Sequence, residues 1–188
     1  MISKSNLIQI RQTLSLAQQG YELLEQKQNV LAREALGLKE KIRILRLQLT
    51  QKLDSASKYV GIEYSSIPTD NSLQVHTRRI MGVEIPTKIT GGDRYESPPY
   101  SLADTSLAVD EAANRFRAVK NAIIALAVVE TAHRRLELAI KKTQKRANAL
   151  EHIIIPDCEA RLKFIQNALE ERERDGFVQI KKTAHKIT

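Results

Sequence analysis

The chain has 188 residues, 4% aromatic side chains, no tryptophan, 28% charged residues and a formal charge of +8 at pH 7. That is too poor in bulky apolar groups for a large compact core; it suits long helices built from Ala, Leu, Glu, Lys and Arg, in one domain or one with an extension. One cysteine, Cys158, rules out an internal disulfide and a metal-binding cysteine pair. No apolar run is long enough to span a membrane. Lys4, Asn6, Gln9 and Arg11 interrupt the stretch where a signal peptide would be apolar. The expectation is a soluble, mostly helical protein of a reducing compartment.

Residues 1–59 read as one helix. Ser5 or Asn6 is the expected cap, and the apolar positions then recur by alternating threes and fours: Leu7, Ile10, Leu14, Ala17, Tyr21, Leu24, Gln28, Leu31, Ala35, Leu38, Ile42, Leu45 and Leu49. Only Gln28 in that series is polar. A 3.5-residue repeat keeps a narrow stripe facing a partner helix, as in a left-handed coiled coil. The stripe spans roughly 65 Å at 1.5 Å per residue. Gly20 and Gly37 are read as glycines tolerated inside the helix, at about 1 kcal/mol each relative to Ala, ahead of the alternative that another backbone comes close there.

Residues 60–105 interrupt the pattern. Four of the five prolines (Pro68, Pro86, Pro98, Pro99) lie here with Gly61, Gly82, Gly91 and Gly92, a density of breakers that no long helix survives. Leu73-Gln74-Val75-His76 and Val83-Glu84-Ile85 alternate apolar and polar residues around Arg79-Ile80-Met81-Gly82, which predicts a short β-hairpin in a small connector lobe. Thr90-Gly91-Gly92-Asp93 and Ser97-Pro98-Pro99 read as exposed loop.

Residues 106–188 form a second helical tract, with Asp104 or Thr105 as the expected cap. Its seam follows Ala122, Leu126, Val129, His133, Leu136, Ile140, Thr143, Ala147, Leu150 and Ile154, then Cys158, Leu162, Ile165 and Leu169. The change of phase near Pro156 reads as a stutter, an inserted four that locally unwinds a supercoil, with a bend at the proline. The fold class is therefore mostly α: a long antiparallel two-helix coiled coil with a small connector lobe containing a short β-hairpin. Pairing within the chain is favoured over pairing between chains because the tether raises effective concentration. This arrangement puts the chain ends at one tip and the connector at the other. Part of the longer second helix overhangs and needs another partner.

Catalytic chemistry is not legible. There is no GxxxxGK[ST] phosphate loop, and Gly91-Gly92-Asp93 reads as loop instead. His76, His133, His152 and His185 are scattered without metal-ligand spacing, and His133 on the seam reads as a structural histidine. No nucleophile, base and orienting group assemble, so no enzyme activity and no cofactor are expected of this chain. Glu170-Glu171-Arg172-Glu173-Arg174-Asp175 alternates sign as a solvated helix face does. Lys141, Lys142, Lys145 and Arg146 form one basic cluster, and Lys181, Lys182 and Lys186 another. Interspersed acids and sparse aromatics argue against nucleic acid as the partner.

The run Lys145-Arg146-Ala147-Asn148-Ala149-Leu150-Glu151 with Ile155-Pro156 resembles a signature of the D subunit of the V-type and A-type rotary ATPases. So does Leu169-Glu170-Glu171-Arg172-Glu173-Arg174, followed by Phe177 and Lys181-Lys182. Gly20 with Leu23, Leu24, Lys27 and Leu31, and Ile80-Met81-Gly82-Val83 with Pro86, are similar to further segments of that family. Gly176 departs from it, standing where an acidic or polar residue is common. Pro98-Pro99 and the loop around Gly91 match nothing in the pattern.

The resemblance implies a non-catalytic central-stalk rotor shaft, with ATP chemistry residing in a head of A and B subunits. It implies that a small stalk component, the F subunit, sits on the middle of the coiled coil. The connector would meet a funnel-shaped subunit capping the membrane ring, giving a cytoplasmic location that is peripheral to the membrane through the complex. Arg172, Arg174, Lys181 and Lys182 are the expected head contacts, with Lys141, Lys145 and Arg146 lower on the shaft. The competing readings are a prefoldin-like chaperone, which the lysine-rich C-terminal end disfavours, and a nucleic-acid-binding coiled-coil arm, which the salt dependence of any affinity would reveal.

Overall fold

A computed structural model describes residues 3–59, 73–91 and 107–187. The elements in order are α1 (Lys4–Ser57), β1 (Gln74–Ile80), β2 (Val83–Thr90), α2 (Leu107–Ala149), a π-helical turn (Leu150–Ile154) and α3 (Ile155–Ile187). They divide between two compact units, one of Met1–Gln28 with Lys141–Thr188, the other of Asn29–Ile140. The caps expected at Asp104 or Thr105, the Ser97-Pro98-Pro99 loop and Pro68 lie outside the described residues.

α1 begins earlier than its sequence suggests. Ser3, rather than Ser5 or Asn6, is the cap: its Oγ accepts a bond from the Asn6 backbone N–H at 3.3 Å, and its carbonyl accepts the Leu7 N–H at 3.2 Å. This satisfies a donor that the first helical turn otherwise leaves without a partner. Along α1 every residue of the three-four series from Leu7 to Leu49 is at least half-buried, and the intervening positions are mostly exposed. Gly20 meets nothing closer than Leu150 Cδ1, which would lie 3.7 Å from an added Cβ, and Gly37 faces open space. Neither is required by a close backbone approach.

Within the unit Asn29–Ile140, α1 and α2 run antiparallel. Leu31 and Ala35 share a buried cluster with Leu136 and Ala132, Arg46 reaches Glu130 at 2.7 Å, and the Tyr59 ring lies 5.2 Å from the Arg115 guanidinium carbon. As the α1 number rises, its partner's falls. The same holds within the other unit, where Lys4 bridges Glu173 at 3.1 Å and Gly20 lies beside Leu150. The driving force is the apolar seam: Leu31 and Leu136 are wholly buried, each gaining about 2 kcal/mol from removal of apolar surface from water.

The phase change near Pro156 is met by a different device from a stutter. The backbone widens into a π turn in which the Ile155 N–H donates to the Leu150 carbonyl, five residues back. Proline lacks an N–H and its ring crowds the carbonyl four residues earlier, so a widened turn just before it relieves both constraints. The turn absorbs one extra residue. Ile155 is half-buried where the sequence puts Ile154 on the seam, while Ile154 is turned outward at 41% exposure. From Ile155 the three-four spacing resumes through Cys158, Leu162, Ile165 and Leu169, all buried or half-buried. α3 also passes through Gly176 without a break.

The expected hairpin forms, with β1 and β2 antiparallel and Ile80 opposite Val83. Met81 and Gly82 both have positive φ, 48° and 79°, as a two-residue type I′ turn requires. Glycine adopts this freely, whereas Met81 sits in the left-handed region at a cost of about 1–2 kcal/mol. Thr87 is the extra residue of a bulge between the His76–Lys88 and Thr77–Pro86 pairs, and Pro86 is tolerated because a two-stranded sheet consists only of edges.

The hairpin does not cap the far tip of the helices. Ile85, 1% exposed, packs with Leu31, Ala35, Ala132 and Leu136, and Ile80 and Val83 lie against the same cluster. That position is more than twenty residues before the end of α1 and after the start of α2. The hairpin lies on the flank because an isolated two-stranded sheet is marginal in water and needs an apolar surface to cover one face.

Candidate assembly surfaces

The seam residues divide by depth. Leu31 and Leu136 are buried; Leu14, Leu24, Leu38, Ile42, Leu45, Leu126, Ile140 and Leu150 are half-buried; Ile154 is exposed. His133 is half-buried on the seam, its Nδ1 3.9 Å from Glu137 Oε2.

The expected head-contact residues all lie in the unit containing α3. Lys141, Lys145, Arg146, Arg172, Arg174, Lys181 and Lys182 are exposed. Among the described residues the side chains of Lys141, Lys145, Arg146, Arg174, Lys181 and Lys182 make no ion pair or hydrogen bond. The nearby Arg161 does, holding Asp157 at 2.9 Å. The two clusters are separated by about 40 Å of helix, so they form two basic stations and not one site. Past the Lys4–Glu173 bridge, α3 continues with Phe177, Val178 and Ile180 exposed among the lysines.

Two polar clusters are not legible from spacing. At the start of α2, Arg115 Nη2 donates to Glu111 Oε1 at 2.6 Å while its guanidinium lies over Tyr59. The Arg115 bond, with a second from Tyr59, holds the Glu111 carboxyl below its ordinary pKa. In the other unit the Glu151 carboxylate beside Tyr21 raises the phenol above its ordinary value, with desolvation and Glu25 adding to the effect. Both join residues far apart in the chain, so no local periodicity reveals them.

Beside the hairpin, a cleft of about 500 Å³ lies between Thr87–Gly91 and the helices, lined by Leu45, Ile124, Ala125 and Val128. Its helix side is apolar but for Asn121, and its hairpin side adds Thr87, Lys88 and Thr90. Among the described residues no group of three or more His, Cys, Asp or Glu is placed to hold a metal ion, and no helix is long and apolar enough to cross a membrane.

Antiparallel helix packing within each unit, a hairpin docked on the helices of the unit Asn29–Ile140 and exposed basic stations on the other define a class of mostly helical proteins built on long paired helices. The comparisons with known proteins agree on which member of that class this is. The family model for the D subunit of ATP synthase matches residues 6–185. The chain is 36% identical to the V-type ATP synthase D subunit of Thermotoga neapolitana, over 98% of this chain and 97% of that protein. It is 34% identical to the A-type ATP synthase D subunit of Thermococcus kodakarensis, over 96% and 91%, and 33% identical to that of Methanopyrus kandleri, over 96% and 83%. The chain belongs to the family of ATP synthase D subunits.

Proposed function

We propose that this subunit is the non-catalytic rotor shaft of the central stalk, carrying torque between the membrane ring and the nucleotide-binding head. The observation that carries the reading is antiparallel packing of two long helices within each unit, in a member of this family. Paired helices resist bending and twisting better than one, and among the described residues neither unit assembles a reaction centre. An asymmetric two-helix element turned inside a head of alternating A and B subunits meets each catalytic pair differently. Rotation then changes which pair is open, because contacts that differ between states bias their equilibrium.

In this reading Arg172, Arg174, Lys181 and Lys182 face acidic loops of the head, and Lys141, Lys145 and Arg146 form a second station lower down. The other partners are the small F subunit of the stalk and the funnel-shaped subunit over the membrane ring, and the protein is held peripherally at the cytoplasmic face of the membrane through the complex. The test replaces the seven basic residues by Ala and measures assembly with the head and coupled turnover. Exposed charge pairs contribute about 0.2–1 kcal/mol each, so the full set is expected to weaken assembly by about 2 kcal/mol, roughly thirtyfold. Unchanged assembly and unchanged coupled turnover refute the assignment of these residues.

A further inference from the structure

We propose that Asp175-Gly176 is a site of spontaneous covalent modification: in the free chain its backbone isomerises to iso-aspartate, and this severs the end of α3 from the rest of the helix. The proposal goes beyond the shaft reading and does not rest on it.

Asp175 is the only aspartate or asparagine in the sequence that glycine follows. That order matters because a five-membered ring forms when the next amide nitrogen reaches the side-chain carboxyl carbon. A Cβ on the next residue crowds that approach, and glycine has none. An added Cβ at Gly176 would meet nothing within 4 Å, so packing does not fix the backbone there. Asp175 is exposed, and among the described residues its carboxylate makes no ion pair or hydrogen bond.

A regular α-helix holds the Gly176 nitrogen out of line with Asp175 Cγ, so the turn must open first. Its place in the fold makes opening easy. α1 begins at Lys4, whose Nζ reaches Glu173 Oε1 at 3.1 Å. From Arg174 onward α3 has run past the start of α1, and Phe177, Val178 and Ile180 stay exposed there, Phe177 at 74%. Helix without a packed partner is marginal over about 12–15 residues. A glycine within it raises the open fraction about fivefold over alanine.

The chemistry needs only water. The Gly176 nitrogen bonds to Asp175 Cγ and loses its proton, the carboxyl C–O bond breaks, and the hydroxyl leaves with that proton as water. The product is a succinimide. Water then adds to the ring. Breaking the bond from nitrogen to Cγ regenerates aspartate; breaking the bond from nitrogen to the main-chain carbonyl carbon routes the chain through Cβ and Cγ. That second product, iso-aspartate, carries one extra main-chain atom and a free α-carboxylate, the substrate class of carboxyl methyl transfer. An α-helix has no room for the extra atom, so Lys181 and Lys182 no longer share a continuous helix with Arg172 and Arg174.

Asp157 is the internal control. It too lies exposed in α3, but Arg161 holds its carboxylate at 2.9 Å and the residue after it, Cys158, is buried. The purified full chain is held warm at neutral pH and digested. Iso-aspartyl peptides, equal in mass to their parents, are separated by chromatography and located by electron-transfer fragmentation. Iso-aspartate should build up at Asp175 about tenfold faster than at Asp157, which has a packed turn and an ion pair to break. Gly176→Ala, which favours the helix, should slow it at least about fivefold through the open fraction alone, and Asp175→Glu should abolish it because the larger ring closes poorly. The isolated iso-aspartyl chain should exchange amide hydrogens faster across 177–187 and unchanged across 158–169. Equal rates at Asp175 and Asp157, or an unslowed Gly176→Ala chain, overturn the site. Unchanged exchange across 177–187 overturns the severing of α3.

Discussion

Arg135 on α2 donates through Nη1 to the main-chain carbonyl of Glu84 at 3.1 Å, so a helix side chain holds the hairpin by its backbone. The next residue along β2, Ile85, is the apolar anchor, seated in the buried cluster. Ile85→Ala should destabilise hairpin docking by about 2–4 kcal/mol, the usual cost of emptying a packed site. Arg135→Ala should cost about 1 kcal/mol. Amide hydrogen exchange across Gln74–Thr90 reads both, with faster exchange for Ile85→Ala than for Arg135→Ala.

Leu31 and Leu136 meet in the same cluster. Each replaced by Ala should lose about 2–4 kcal/mol in urea unfolding. The double variant should depart from the sum by about 0.5 kcal/mol or more, because both changes open one shared cavity. Strict additivity would show that the two leucines do not share it.

The π turn can be tested through the lone thiol. Cys158 is buried downstream of the turn. Deleting His152, an exposed residue of the turn, should let the backbone close into an ordinary α-helix with the downstream seam still in phase. Cys158 then stays slow to react with a thiol reagent. Inserting one Ala after His152 should rotate α3 by about 100°, the turn per residue of an α-helix, and make Cys158 react faster. Fast reaction in the deletion variant would contradict a seam that resumes at Ile155.

Two pairs give opposite pH dependences. Glu111 is held below its ordinary pKa, first by its bond from Arg115 and then by Tyr59, so its contribution is present above the ordinary carboxylate value and lost as the pH falls through the lowered one. Tyr21 is held above its ordinary value, chiefly by Glu151; its contribution is present below the ordinary phenol value and lost as the pH rises through the raised one. Both groups keep contact with solvent, so the effects are small. Glu111→Gln should flatten the acid side of the stability curve and Tyr21→Phe the alkaline side, as measured by thermal unfolding across pH.

The α1 seam is legible residue by residue, because a period of 3.5 forces the same positions to face a partner whatever that partner is. The hairpin is legible for the same kind of reason, its period of two ending at Met81-Gly82. The cap is not, since Ser3, Ser5 and Asn6 are all good capping residues and only the backbone's actual start selects one. Ile154 departs from its expected place for a subtler reason. A run of fours admits either a stutter or a one-residue π insertion, and Pro156 makes the second cheaper without announcing it in the spacing.

By itself, then, the amino-acid order determined the helices, their apolar faces, the hairpin and the family signature, all of which rest on local periodicity and residue type. The tertiary structure alone decided that the hairpin lies along the flank near Leu31 and Leu136 instead of at the tip. It also decided that Ile155 rather than Ile154 closes the seam, and that Tyr21 meets Glu151. These depend on which distant surfaces bury the most apolar area together, a comparison between segments that no single segment contains.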